Sequence, residues 1–183
     1  RMALLTRRLA GEPLQHLTGR AAFRTVEVAV GPGVFIPRPE TELLAGWALE
    51  RLARLGPDAV VVELCAGSGA LSRALAAEHP GPRYLAVELS GAAWPYLVAN
   101  LAGTAVTPVR GDMALALPEL NGRVDLVVVN PPYVPEAARS ALPGDVLADP
   151  PEALFAGADG LDALRVVVDA AARLLRPGGW VGA

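Results

Sequence analysis

The sequence predicts an α/β fold built on a doubly wound, mainly parallel sheet. Three observations carry that reading. Short apolar runs such as Val60-Val61-Val62 and Leu126-Val127-Val128-Val129 show no polar alternation, as in strands covered on both faces. These runs alternate along the chain with stretches of helical apolar spacing. The runs also end on polar residues: Glu63, Glu88, Asp112 and Asn130 stand at or just past successive strand ends, where open α/β sheets place their ligands.

Composition narrows the class. A chain of 183 residues, 52% hydrophobic and 19% charged, is a folded domain with room for a sizeable core. A net charge of -3 argues against a large electrostatic footprint for nucleic acid. One cysteine excludes an internal disulfide framework, and with only two histidines no metal site is expected. No apolar run approaches the ~18 residues of a membrane span, and no signal peptide is visible. The basic residues are all Arg, which reads as coding bias rather than function. The chain opens on Arg1 rather than Met, so a piece of a longer protein is expected.

Taken in order, residues 2–10 read as the end of a helix, and 11–19 as a linker bounded by Gly11 and Gly19. Residues 23–30 alternate, with Val26, Val28 and Val30 on one face, and predict a half-buried strand. Gly31-Pro32-Gly33 turns the chain, and Val34-Phe35-Ile36 is expected to return as a second strand, completing a hairpin. Residues 1–39 thus form an arm and linker, and 40–183 the core. A helix opens near Glu40 or Thr41, uses Leu43, Leu44, Trp47, Leu49 and Leu52, and stops at Gly56-Pro57. Strands follow at 59–64, 84–88, 106–110 and 124–129, with helices at 71–78 and 92–101 between them. Pro95 falls near the first turn of the second, where proline is tolerated. Residues 134–160 read as a long loop, a lid or substrate-binding segment. A helix at 161–175 has Leu161, Leu164, Val167, Val168, Ala171, Leu174 and Leu175 as its apolar face; Arg176-Pro177-Gly178-Gly179 ends it before a fifth strand at Trp180-Val181.

Four strand ends carry chemistry, three of them in one group. The first strand of the core runs through Glu63 into Cys65-Ala66-Gly67-Ser68-Gly69-Ala70 and a helix, the strand, glycine turn and helix of a cofactor-binding unit. Glu63 can accept from a cationic amine, and Cys65 reads as a small packed residue. Glu88 lies near the interval expected of a carboxylate that grips a ribose diol; Asp112 can accept from an adenine amino group. At the other strand end, Asn130-Pro131-Pro132-Tyr133 stops its strand because proline lacks the N–H a ladder needs. A planar NH₂ group can donate to the Asn130 side-chain oxygen and the Pro131 carbonyl, beside the aromatic plate of Tyr133. Its nitrogen is then aimed at an electrophilic carbon, and no strong base is needed before attack on a methyl sulfonium.

This tetrapeptide resembles the motif of amino-methylating, S-adenosylmethionine-dependent methyltransferases, and the succession of strand-end acids resembles the Rossmann-like class I methyltransferase fold. Gly11-Glu12-Pro13-Leu14-Gln15-His16-Leu17-Thr18-Gly19 and Val34-Phe35-Ile36-Pro37-Arg38-Pro39-Glu40-Thr41-Glu42 narrow the likeness to the peptide chain release factor N5-glutamine methyltransferases. The resemblance implies S-adenosyl-L-methionine as cofactor and S-adenosyl-L-homocysteine as product. It implies cofactor binding by Glu63, Ala66, Gly67, Ser68, Gly69, Ala70, Glu88, Asp112 and Met113, with Asn130 beside it. It implies that Asn130, Pro131, Pro132 and Tyr133 hold the glutamine of a Gly-Gly-Gln motif, with Asn130, Pro131 and Tyr133 acting in catalysis and Phe35 near both ligands. The implied partner is a class-1 release factor, met in the cytoplasm by a monomer that binds no membrane and no nucleic acid tightly. Met113 stands where that family often has an aromatic, and the family's leading helical domain and two last strands are expected to lie outside these residues. Two rivals remain: a nucleic-acid methyltransferase acting on adenine N6 or guanine N2, which would need a basic groove and base extrusion, and a non-catalytic cofactor-fold scaffold.

Overall fold

A computed structural model describes residues 2–183; Arg1, the first residue of the expected arm, lies outside them. Helices α1 (Met2–Leu9) and α2 (Leu14–Thr18) precede a hairpin of β1 (Arg20–Phe23) and β2 (Val26–Ala29). Next come α3 (Thr41–Leu52), β3 (Val60–Leu64), α4 (Ala70–Glu78), β4 (Arg83–Glu88), α5 (Trp94–Leu101), β5 (Val106–Arg110) and β6 (Val124–Val129). The short α6 (Pro151–Leu154), α7 (Asp162–Leu174) and β7 (Leu175–Gly182) complete the order.

Five strands form one parallel sheet in the order β5-β4-β3-β6-β7. The chain steps outward from β3 to β5, then crosses to the other side of β3 to lay down β6. β3 and β6 are therefore the switch point of the sheet, where a crevice opens above the strand ends. β5 is an edge strand, which is why it tolerates Pro108. Successive residues point to opposite faces, and both faces are covered. Val61, Leu126 and Val128 pack with α3, α4 and the hairpin; Val62, Leu64, Val127 and Val129 pack with α7. That two-sided burial is the physical origin of the unbroken apolar runs. Parity also decides the site: Glu63 follows Val61 by two, Glu88 follows Ala86 and Asn130 follows Val128, so all three start from the face shared with α3 and α4.

Several expectations are corrected. The hairpin exists, but its strands are 20–23 and 26–29, turning at Arg24-Thr25, where Arg24 takes a positive φ of 49°. Val34-Phe35-Ile36 is not a strand; the Val34 N–H bonds the Gly31 carbonyl and the Ile36 N–H a carboxylate of a distant loop. The linker at 11–19 contains α2, closed by Gly19 in the left-handed conformation. The loop at 134–160 contains a 3₁₀ stretch, Glu136–Ala141, and α6. On α7 the buried residues are Val167, Ala170, Ala171 and Leu174, whereas Leu161 and Val168 are exposed. On α3, small Ala45 and Ala48 pack inward with Leu52, and Leu43 faces out. β7 begins at once after α7, with 176–179 bulging out between the Val124–Leu175 and Leu126–Trp180 pairs.

Candidate functional site

Above the switch point lies a cavity of about 470 Å³, in the range that holds a nucleoside-sized ligand. Its floor is the turn between β3 and α4. Gly67 and Gly69 both take positive φ, 54° and 76°. Gly69 also has no room for a side chain, since a Cβ there would stand 2.7 Å from Leu97. The strain extends to Cys65, a non-glycine residue at φ 54°. Its thiol lies against the Met113 sulfur at 3.5 Å, and burial pushes it up to about 12, so it stays protonated and inert.

Two buried acids hold this turn. Glu88 accepts the Gly67 N–H at 2.7 Å on one oxygen and the Ser90 N–H at 2.6 Å on the other. Glu63 accepts the Ser72 N–H at 3.0 Å, a free donor of the first turn of α4. Burial pushes the Glu63 carboxyl up to about 7, with the Ser72 hydrogen bond opposing the shift and the nearby Glu88 charge adding to it. Asn100 fixes the turn from the side. Its carboxamide pairs with both backbone groups of Ala29 and donates to the Ser68 carbonyl at 2.9 Å, tying hairpin, turn and α5 together.

Of the anticipated cofactor residues, Glu63, Ala66, Gly67, Ser68, Ala70, Glu88, Asp112, Met113 and Asn130 line the cavity; Gly69 lies beneath it against Leu97. Phe35 and Pro132 line it too. Pro131 is buried and outside the lining, and Tyr133 is 61% exposed on a second, outer groove. Phe35, Thr41 and Asn130 line both cavity and groove, so the two meet at these residues. The Asn130 amide NH₂ donates to the Thr41 hydroxyl at 3.4 Å, which leaves its oxygen free. Tyr133 and Val134 are pinned by the Leu154 carbonyl, at 3.2 and 2.8 Å.

The cavity lining has a marked charge pattern. It holds the acids Glu63, Glu88, Asp112 and Glu152 and neither Arg nor Lys, a donor set that suits a ligand of net positive charge. Among the described residues no group of three or more His, Cys, Asp and Glu could hold a metal ion. Sequence reasoning missed Asn100, Thr41, Leu89, Asp149, Pro150 and Glu152. A signal for the loop residues was present: Asp149-Pro150-Pro151 repeats the polar-Pro-Pro form of Asn130-Pro131-Pro132.

The family described as conserved hypothetical protein 95 matches residues 17–144. The chain is 49% identical over 180 residues to a release factor glutamine methyltransferase of Streptomyces coelicolor, covering 97% of this chain and 64% of that protein. It is also 46% identical, over 94% of this chain and 61% of the relative, to a 4-amino-L-phenylalanine/4-methylamino-L-phenylalanine methyltransferase of Streptomyces pristinaespiralis. The chain thus spans less than two thirds of the length of these relatives. Among solved structures, the hMettl16 catalytic domain in complex with a 3'UTR hairpin superposes with a TM-score of 0.62 at 14% identity, covering 79% of this chain and 55% of that one. That likeness shows the fold alone, an α/β architecture built on a mainly parallel sheet.

Proposed function

The chain belongs to the family described as conserved hypothetical protein 95, and on that premise we propose that it carries an S-adenosylmethionine-dependent methyltransferase site. The proposed acceptor is the side-chain amide nitrogen of the Gly-Gly-Gln glutamine in class-1 peptide chain release factors. The observation that carries the reading is Asn130, which lines both the cavity and the outer groove with its amide oxygen free. The name of the Streptomyces coelicolor relative supports the amide as acceptor. The reading extends to a monomer acting in the cytoplasm; among the described residues no helix is long and apolar enough to cross a membrane.

The cavity fits such a cofactor on its volume, its cation-free lining and the open approach to the Gly67 backbone. Bound there, S-adenosyl-L-methionine would supply an electrophilic methyl group. Glu88, with lone pairs left after Gly67 and Ser90, would accept from the ribose hydroxyls. Asp112 and Met113 would hold the adenine, and Glu63 would face the positive charge. The Asn130 oxygen, open to the groove, would accept one N–H of the incoming amide, and the carbonyl of the buried Pro131 behind it is the proposed acceptor of the other. An amide nitrogen is a poor nucleophile because its lone pair is conjugated, and accepting both hydrogens raises its electron density. Thr41 stops the Asn130 carboxamide from turning its NH₂ toward the acceptor. The enzyme's main contribution is proximity and orientation. The proton leaves to solvent after transfer.

Tritiated S-adenosylmethionine with a purified release factor, its Gln→Ala variant, 4-amino-L-phenylalanine, DNA and RNA tests the reading. Label in the release factor that vanishes with the glutamine is the expected result. Label in the aromatic amine alone would move the chain to the chemistry named for the Streptomyces pristinaespiralis relative, and label in nucleic acid would revive base methylation.

A further inference from the structure

One side of the cavity is made by two segments far apart in sequence, and Phe35 of the first also lines the groove. Phe35 and Pro37 come from the stretch ahead of α3; Pro150, Glu152 and Ala153 come from α6 and its approach. Asp149 joins them. It is 2% exposed, accepts the Ile36 N–H at 3.0 Å on one oxygen and pairs with the Arg38 guanidinium on the other. Ile36 and Arg38 flank Pro37, so one carboxylate fixes both sides of that proline. Arg38 in turn packs over the Phe35 ring, 5.5 Å from its centroid, and Phe35 faces both spaces.

We propose that Arg38 and Asp149 form a latch that sets the Phe35 wall between cofactor cavity and acceptor groove, which makes both of them positioning residues for the transfer. A buried ion pair is seldom more stabilising than apolar side chains of similar volume. What this pair supplies is a single geometry, in which the α6 segment and the Phe35 segment move as one body. Preorganisation of that kind shows as tighter binding, because the ordering cost has already been met in the free protein. The effect on transfer rests on the methyltransferase reading; the effect on Phe35 does not.

The test uses the full chain labelled with fluorophenylalanine at its three phenylalanines, Phe23, Phe35 and Phe155, with Phe35→Leu assigning the line. Two variants are compared: Asp149→Asn, and Asp149→Asn combined with Arg38→Gln, which leaves no uncompensated buried charge. The expected result is a Phe35 line that is sharp in the parent and broadened or shifted in both variants, with Phe23 unmoved. S-adenosylmethionine affinity by calorimetry should fall on the order of tenfold in both, even where the double variant regains the parent's melting temperature. An unmoved Phe35 line in a folded variant overturns the latch. So does affinity that recovers together with stability in the double variant, or failure of both variants to fold, since either outcome makes the pair structural only. If the parent binds no S-adenosylmethionine, the methyltransferase reading fails, and the Phe35 line still decides the latch.

Discussion

Replacing Glu63 by glutamine should change how stability responds to pH, by an amount set by burial. The Glu63 carboxyl rises from an ordinary 4.5 to about 7 because burial penalises its charged form. In the unfolded chain it releases its proton near 4.5; in the folded chain it keeps it until about 7. Between those values the unfolded state binds fewer protons, so stability falls as pH rises. The contribution is complete below pH 4.5 and is lost as pH climbs through 7. The gap between 7 and 4.5, at about 1.4 kcal/mol per pH unit, comes to roughly 3 kcal/mol. Glu63→Gln cannot ionise, yet it keeps an oxygen for the Ser72 N–H.

Urea unfolding of parent and variant at pH 5, 6, 7 and 8 follows this group, because titrations that do not feel Glu63 cancel in the difference. The variant should gain on the parent by about 2.5 kcal/mol between pH 5 and pH 8, the rest of the gap falling below pH 5. A cationic ligand beside Glu63 would stabilise the carboxylate, so S-adenosylmethionine affinity should rise with pH in the parent and stay flat in the variant. Parallel stability curves at all four pH values would refute the burial argument.

Glu88→Ala removes the acceptor of two backbone N–H groups and of the ribose hydroxyls. Calorimetry should show S-adenosylmethionine binding weakened by about 1.5–3 kcal/mol, the range for charge-assisted hydrogen bonds, and unchanged affinity would remove Glu88 from the site. Asn130→Ala should slow single-turnover methylation on the order of 100-fold while leaving cofactor affinity close to the parent's; Asn130→Asp keeps an acceptor oxygen and adds charge, so it should slow transfer while tightening the cofactor. A parent-like rate in Asn130→Ala would make the tetrapeptide a structural turn. Gly69→Ala must hold a side chain at φ 76° with its Cβ 2.7 Å from Leu97, and thermal unfolding should show a loss of about 2–4 kcal/mol.

The inner strands β3, β4 and β6 were legible because each is covered on both faces, a condition that an apolar run satisfies. The Asn130 turn was legible because proline ends a ladder for a covalent reason. The hairpin was misread for reasons that lie outside local pattern. Val34 and Ile36 are fully buried, as strand residues would be, but Ile36 sends its N–H to Asp149, more than a hundred residues away. The real turn carries no glycine or asparagine. Arg24 holds the positive φ, anchored by its ion pair with Glu78 of α4 at 2.6 Å. On α3 and α7 the spacing located the helices but not their rotation, since alanines do the close packing and Leu43 and Val168 face out. Asn100 gave no signal at all; its partners are backbone groups of Ala29 and Ser68, which any sequence supplies.

Glu63 and Glu88 stand on neighbouring strands, start from the same face and are both buried, at 4% and 7% exposure. The fold treats them differently. Glu88 receives two backbone N–H groups, one on each oxygen, beside the glycine turn. Glu63 receives one, from the first turn of α4, and the Glu88 charge works against it. Stability alone would favour an apolar residue at position 63, beside Val62 and Leu64. An ionisable group there, at the edge of a cavity without Arg or Lys, fits the cationic ligand proposed for the cavity. The turn is then ordered by Glu88 before anything binds, and the charge at Glu63 is completed only when something does.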